Sequence, residues 1–315
     1  MIYNILKIFL DLIGYFCKMK KWIGAARLRT LPLSISGIIL GSLIALSEGF
    51  WDWRIFVLAF LTTLFLQVLS NYANDYGDGI RGTDAERIGE KRAVASGEIT
   101  AKQMKNAVIL FSFLSAVTAF LLIFISFGDD FLWALVFIFL TFACVWAAIR
   151  YTVGKSAYGY AGMGDIFVFV FFGLISVWGS YTLYQHESFH PSIFLPAAAI
   201  GLLSTAVLNL NNLRDIETDR KAGKLTLPLR MGFENGKIYQ SVLVLLPFVL
   251  ASIYLFQIGK TEVFRFTFLI LLIPAILFLR TLFSTNEPRL LDKELKKVAL
   301  LTLAFSFVFG IGLYL

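Results

Sequence analysis

The chain has 315 residues, of which 58% are hydrophobic and only 16% charged, where a soluble domain of this size carries roughly a quarter. That deficit excludes an ordinary water-soluble domain. The net charge of +7 gathers in particular connections, which makes it a topology signal and argues against a nucleic-acid partner; two distant cysteines, Cys17 and Cys144, exclude a disulfide framework and a Cys-rich zinc site.

Residues 1–21 form a short apolar stretch followed by Lys18, Lys20 and Lys21. A secretory signal would place its charges before the apolar run and a small-residue cleavage site after it. Neither is present, so 1–21 reads as an N-terminal extension or interfacial helix, and 22–315 as a single integral membrane domain. Apolar runs then follow near Leu31–Leu46, Ile55–Asn71, Ala107–Phe127, Phe131–Ile149 and Ile166–Tyr184. Four more lie near Ile193–Leu210, Ile238–Phe256, Phe264–Phe283 and Val298–Leu315. Each is near the ~20 residues a bilayer demands of a helix, so the fold class is all-α: a polytopic membrane protein of nine transmembrane helices. Lys and Arg crowd the N-terminal flank and the even-numbered connections, while Gly128-Asp129-Asp130 and the stretch from Gln185 to Ser192 carry none. This alternation puts the N-terminus and the even connections in the cytoplasm. The pattern Asn71-x-x-x-Asp75 before a long charged connection recurs as Asn211-x-x-x-Asp215, which predicts two pseudo-repeated bundles around a central cavity.

The first polar segment runs from Asn71 through Asn74, Asp75 and Asp78, and reaches Asp84; the second holds Asn211, Asp215, Glu217 and Asp219. On continuous helices Asn71, Asp75 and Asp78 share one face, as do Asn211, Asp215 and Asp219, with Glu217 turned away. An ionised Asp costs roughly 2.5–3.5 kcal/mol at the centre of a membrane helix, and carboxylates on facing helices repel. Divalent cations are the natural counter-charge, and oxygen-only donors without His or Cys favour Mg²⁺. Five aspartates and a diphosphate of about −3, against two Mg²⁺, leave roughly −4 for basic groups; Arg150, Lys155, Lys91 and Arg92 lie on the same side. The segments therefore read as a Mg²⁺–diphosphate site, although Asp84 alone also suits a helix cap or a solvated loop. His186 and His190 lie in an outer connection with no third His, which favours a surface role over zinc. Gly159-x-x-Gly162-x-Gly164 follows no strand and is no dinucleotide loop; the glycines read as a tight turn near the substrate.

These segments resemble the motifs of the UbiA superfamily of intramembrane aromatic prenyltransferases. Asn74-Asp75-x-x-Asp78 with Asp84 is similar to its first motif, and Asp215-x-x-x-Asp219 followed by Arg220-Lys221-Ala222-Gly223-Lys224 to its second. Ala25-Ala26-Arg27-x-Arg29-Thr30-Leu31-Pro32, the Asp78-to-Asp84 spacing with Arg87-Ile88-Gly89, and Tyr151-Thr152-x-Gly154 leading to Tyr158 and Gly164-Asp165 resemble the branch acting on 1,4-dihydroxy-2-naphthoate in menaquinone synthesis. The resemblance implies Mg²⁺ held by Asp75, Asp78, Asp215 and Asp219, with Asn71 and Asn211 as neutral partners. It implies transfer of a polyprenyl group from polyprenyl diphosphate to the naphthoate, with loss of CO₂, at the cytoplasmic face of the inner membrane. Arg29 then either holds the acceptor carboxylate or anchors the helix at the interface. Lys155 would meet the diphosphate, Asp165 would be a further ligand or orient Lys155, and Tyr72, Tyr151 and Tyr158 would line the site. No protein partner is evident. The remaining alternatives are another aromatic acceptor such as 4-hydroxybenzoate, or an ion-coupled secondary transporter with acids of similar kind.

Overall fold

A computed structural model describes residues 19–82, 92–154, 157–187 and 190–315. Among these, nine helices are long and apolar enough to cross a membrane, and we number them α1 to α9. They are α1 (Leu31–Ser47), α2 (Trp53–Arg81), α3 (Ala101–Phe127), α4 (Phe131–Arg150) and α5 (Gly164–Thr182), then α6 (Phe194–Arg214), α7 (Phe233–Gln257), α8 (Val263–Ser284) and α9 (Asp292–Tyr314). No strand is present among the described residues.

Turn chemistry sets several ends. Asp52 caps α2 by accepting from the Arg54 amide, and Gly82 closes it in a left-handed conformation. Thr100 and Gln103 form a reciprocal capping box at the start of α3. Two spans depart from regular α-helix: α8 begins with a 3₁₀ stretch, Val263–Leu271, and α5 carries a π-helical segment, Phe169–Ile175. Before α1, residues 19–26 are helical and bury Ala25 and Ala26 against α2, after which Arg27 adopts a left-handed backbone (φ 48°) and turns the chain. The short piece is thus part of the folded body from Met19 onward.

In packing, α2 lies on α3 and α4, while α6 lies on α5, α7 and α9; α1 joins the two sets by packing on α2, α5 and α9. The larger core belongs to the second half and includes Phe248, Phe268, Phe305 and Phe309 at zero to a few per cent exposure. By contrast α4 buries few residues, and its Phe131, Phe139, Phe142 and Trp146 face outward, as a lipid-exposed helix should. Close approach of α1 to α5 depends on small residues, the usual device where lipid supplies no hydrophobic drive. A Cβ on Gly41 would sit 2.4 Å from the Val177 carbonyl oxygen, and one on Gly37 would collide with Ser176.

On the outer side, His186 is half-buried, edge-on to Phe127 at 5.1 Å and 3.9 Å from Asp130. It is an aromatic packing residue more than the surface group expected, and no cluster of three potential metal ligands exists among the described residues.

Because the atom facing Gly41 is backbone and has little room to yield, Gly41→Leu should lower the unfolding midpoint of the detergent-solubilised protein by the equivalent of about 1–3 kcal/mol. Gly24→Ala, with nothing within 4 Å, should change it by less than about 0.5 kcal/mol.

Candidate active site

Asn71, Asp75 and Asp78 lie on one face of α2, which runs unbroken through Arg81, and all three are buried. Their neighbours differ. Asn71 donates to the Ala26 carbonyl at 2.8 Å and the Thr30 hydroxyl at 3.3 Å, fixing the entry to α1. Asp75, 1% exposed, accepts the amides of Ala93 and Val94, one on each oxygen, at 3.0 Å. It therefore ties the connection after α2 back to the helix. Asp78 accepts from the Tyr160 hydroxyl at 2.7 Å and lies 3.4 Å from the Arg92 guanidinium. Arg81 stacks over the Tyr160 ring at 4.3 Å and donates to the Gly154 carbonyl.

The second segment kinks at Asp215 (φ −93°, ψ 9°), where α6 ends and a short helix, Ile216–Lys221, begins. The amides of Asp215 and Asp219 still bond the carbonyls of Asn211 and Asp215, at 3.1 and 2.8 Å. Arg214 immediately precedes the kink. Its buried guanidinium donates to both oxygens of Asp215 at 2.7 Å, to the Asn211 side-chain oxygen at 2.7 Å, and to Asp292 at the start of α9 at 2.5 Å. A guanidinium so enclosed needs these acceptors, because removing one partner of a buried pair costs about 3–5 kcal/mol. Asp219 is 3.7 Å from the Lys224 ammonium, and Glu217 points to the outside as expected.

The connection after α4 joins the two halves. Thr152 donates to the Ala73 carbonyl and to Asn74, and the Tyr160 carbonyl receives the Leu225 amide at 3.1 Å. Gly162 takes a left-handed φ of 79° where Arg230 packs against it, so the glycines do serve a tight turn. Tyr151 lies at the junction. Burial raises its phenol above the ordinary value; Lys224 opposes that shift, and the charges of Asp78, Asp165 and Asp219 add to it. Tyr158, also raised by burial, stacks on Phe167 at 3.8 Å and donates to the Ala147 carbonyl. Both phenols thus stay protonated.

These elements enclose a cavity of about 410 Å³. One end is polar, with Arg27, Arg29, Asn71, Asp78, Arg92, Asn211 and Lys224; the other is a sleeve of Ile38, Leu122, Ile123, Phe137, Phe171 and Phe172 from α1, α3, α4 and α5. It is amphipathic along its length.

Residues 34–312 match the UbiA prenyltransferase family. The chain belongs to that family. It is 41% identical over 302 residues, covering 94% of this chain and 96% of the relative, to a 1,4-dihydroxy-2-naphthoate octaprenyltransferase of Haemophilus influenzae. An Escherichia coli protein of the same description is 43% identical over 231 residues, covering 72% and 74%. Among solved structures, the apo UbiA homolog of Aeropyrum pernix matches with a TM-score of 0.66 at 15% identity, covering 89% of this chain and 96% of that one. The homolog of Archaeoglobus fulgidus bound to GPP and Mg²⁺ matches at 0.60 with 18% identity, covering 90% and 99%. The protein is accordingly a prenyltransferase and a multi-pass membrane protein, which sets the transporter alternative aside.

Set beside the sequence reading, the prenyltransferase brings Asp78, Asn71, Asn211, Arg29, Tyr151 and Tyr158 to the cavity wall, while Asp75, Asp215 and Asp219 lie buried just behind it. Tyr72 is a correction. Its hydroxyl donates to the Trp22 carbonyl and its ring packs against Trp22 and Phe111, because its helix face turns toward α3. Asp165 is buried at the start of α5 and lies 3.5 Å from the Tyr239 hydroxyl, behind the wall. Lys155, Asp84, Lys91 and the Arg87-Ile88-Gly89 stretch lie outside the described residues. Sequence reasoning missed Tyr160, Arg214, Lys224 and Asp292. Only Arg214 and Lys224 carried a signal, being cations embedded in an acidic segment.

Because Asp75 satisfies two amides while Asp78 faces the cavity, their neutral variants should part. Asp75→Asn leaves one amide opposite an NH₂ and should cost about 1–3 kcal/mol of stability, read as faster proteolysis after Arg92. Asp78→Asn keeps both of those amide contacts but removes a charged partner of the buried Arg92, so it should cost more, about 3–5 kcal/mol, read as a lower unfolding midpoint.

Proposed function

We propose that the protein transfers a polyprenyl group from polyprenyl diphosphate to 1,4-dihydroxy-2-naphthoate, with loss of diphosphate and CO₂, to give the demethylmenaquinone skeleton. The observation that carries this reading is the polarity of the cavity. Its polar end gathers Asp78, Arg92, Lys224, Asn71 and Asn211, and its far end is mainly apolar, with hydroxyl side chains such as Thr141 and Ser180 among the aliphatic and aromatic ones. An allylic diphosphate has that same division between a highly charged head and a hydrocarbon tail. The relatives described as 1,4-dihydroxy-2-naphthoate octaprenyltransferases support the acceptor.

The donor set at the polar end is oxygen only, which suits Mg²⁺, an ion that keeps several waters and binds through one or two carboxylates plus substrate phosphates. We assign Asp78 and Asp219 as the residues best disposed to hold it, with Asp75 and Asp215 supporting through their second lone pairs. Bound there, Mg²⁺ supplies neutralisation of the departing diphosphate. Arg92 and Lys224, each beside an acidic residue of one half, add the positive charge that cations alone leave wanting, and Lys155 is a further candidate. The phenols of Tyr151 and Tyr158, held neutral by burial, and the aromatic sleeve keep water from the allylic carbon while the C–O bond breaks. The electron-rich ring then attacks that carbon. Arg29, on the wall and one-third exposed, receives the ring carboxylate until it leaves as CO₂ and aromaticity returns. The cations at the polar end, Arg27, Arg29, Arg92 and Lys224, support an active site on the cytoplasmic face of the inner membrane.

Membranes containing the protein should convert 1,4-dihydroxy-2-naphthoate and polyprenyl diphosphate to the reduced product, demethylmenaquinol, with release of CO₂, detected as demethylmenaquinone after oxidation in air, and excess EDTA should abolish the conversion until Mg²⁺ is restored. Prenylation of 4-hydroxybenzoate offered in parallel, with none of the naphthoate, would refute the acceptor while leaving the metal site intact. Asp78→Asn and Asp219→Asn should each lower turnover at least about a hundredfold with normal membrane insertion. Asp215→Asn is the less clean variant, because it also removes the bidentate partner of the buried Arg214.

A further inference from the structure

We propose that the side-chain carbonyl of Gln67 recognises the acceptor ring by accepting a hydrogen bond from its free hydroxyl group, and so helps to determine acceptor specificity. The inference rests on the prenyl-transfer reading given above. Gln67 lies outside the acidic motifs, on α2, where it lines the cavity and is 8% exposed. Its Nε2 donates to the Thr30 hydroxyl at 2.9 Å. Thr30 also accepts from Asn71 at 3.3 Å and gives its own proton to the Arg27 carbonyl at 2.9 Å. A hydroxyl has one proton and two lone pairs, so Thr30 is fully used and Gln67 can meet it only as a donor. That fixes the amide. Its NH₂ faces the turn before α1, and its Oε1, which has no hydrogen-bond partner among the described residues, is left for the cavity.

What that oxygen can bond follows from its depth. Gln67 stands about two turns before Asp75 on a continuous helix, roughly 12 Å farther into the membrane. Helical side chains lean toward the helix N-terminus, which on α2 is away from the aspartates. A Mg²⁺ shared with Asp75 or Asp78 is therefore out of reach, since that ion binds its donors at about 2.1 Å. The amide instead stands between the charged end of the cavity and its mainly apolar far end. Of the groups that prenyl transfer brings together, diphosphate oxygens only accept and the hydrocarbon tail does neither. The ring hydroxyls alone can donate. In 1,4-dihydroxy-2-naphthoate the 1-hydroxyl lies beside the carboxylate and bonds to it internally, which leaves the 4-hydroxyl free. A buried carbonyl left unpaired loses its hydration with nothing in return, so Gln67 favours a ring that carries a donor at that position.

The test compares 1,4-dihydroxy-2-naphthoate, kept reduced under nitrogen, with 1-hydroxy-2-naphthoate, which lacks only the 4-hydroxyl. Their Kd values are measured on the purified full-length protein in detergent, without prenyl donor. Wild type should bind the diol about fivefold more tightly, the worth of one such hydrogen bond. Gln67→Met, of similar length but without the carbonyl, should bring the two within about twofold, and Gln67→Glu, which keeps an acceptor, should retain the preference. Gln67→Asn, whose carbonyl is withdrawn by one methylene, gives the same test should Gln67→Met fail to accumulate in membranes. A link to Thr30 that is only structural would weaken both probes by one factor and leave the preference intact in Gln67→Met. That result overturns the recognition role and leaves the acceptor reading standing, as does equal binding of the two probes by the wild type. Binding of neither naphthoate by the wild type, with 4-hydroxybenzoate bound instead, overturns the acceptor reading and this inference with it.

Discussion

A carboxylate placed at the end of a membrane helix must find a cation or a set of donors, because neither lipid tails nor packed helices will solvate it. The prenyltransferase places four such groups, Asp75, Asp78, Asp215 and Asp219, on two helices that occupy matching positions in its two halves, and much of the surrounding chain exists to satisfy them. Asp75 takes two backbone amides, Asp78 takes a phenol and a guanidinium, Asp215 takes a guanidinium twice over, and Asp219 stands beside an ammonium. Contacts of this kind tie the connections after α2, α4 and α6 to the helix ends and bring Arg92, Tyr160 and Lys224 to the acidic segments.

The division of labour among the four is uneven. Asp75 and Asp215 organise the protein itself, one by pinning a connection and the other by neutralising a buried arginine. Asp78 and Asp219 stand next to the cations that line the cavity. A symmetric motif in the sequence thus becomes an asymmetric arrangement, in which one acid of each pair is engaged by the fold and the other stands beside a cation that lines the cavity. The two jobs are compatible, since a carboxylate oxygen that accepts one hydrogen bond retains a second lone pair for a metal.

What the sequence revealed, and what it concealed, follows from the range of the forces involved. Nine apolar runs between charged connections identify the spans, because the bilayer imposes one length on each. The shared face of Asn71, Asp75 and Asp78 was legible because α2 continues as a regular helix. In the second motif the i, i+4 backbone bonds from Asn211 through Asp215 to Asp219 persist across a kink at Asp215, and what local spacing does not show is the contact of the buried Arg214 with its own neighbour. The hydrogen bond from Tyr160 to Asp78 and the ion pair from Arg214 to Asp292 join residues 82 and 78 positions apart, and no local pattern announces either. Tyr72 was drawn into the site by proximity in sequence, although a helix turns adjacent residues about a hundred degrees apart. The π-helical segment of α5 was equally hidden, since Phe169–Ile175 is only an apolar run until Gly173 meets Gly201 on α6.

The central claim is that the two acidic segments become one site only through divalent cations shared with a diphosphate. Electron paramagnetic resonance of Mn²⁺ added to the purified protein, with and without an unreactive polyprenyl thiodiphosphate, tests it most directly. The account predicts weak Mn²⁺ binding alone, strong binding when the analogue is present, a phosphorus coupling in the bound spectrum, and loss of that signal in Asp78→Asn. Tight Mn²⁺ binding without the analogue, or analogue binding unchanged by EDTA, would contradict it.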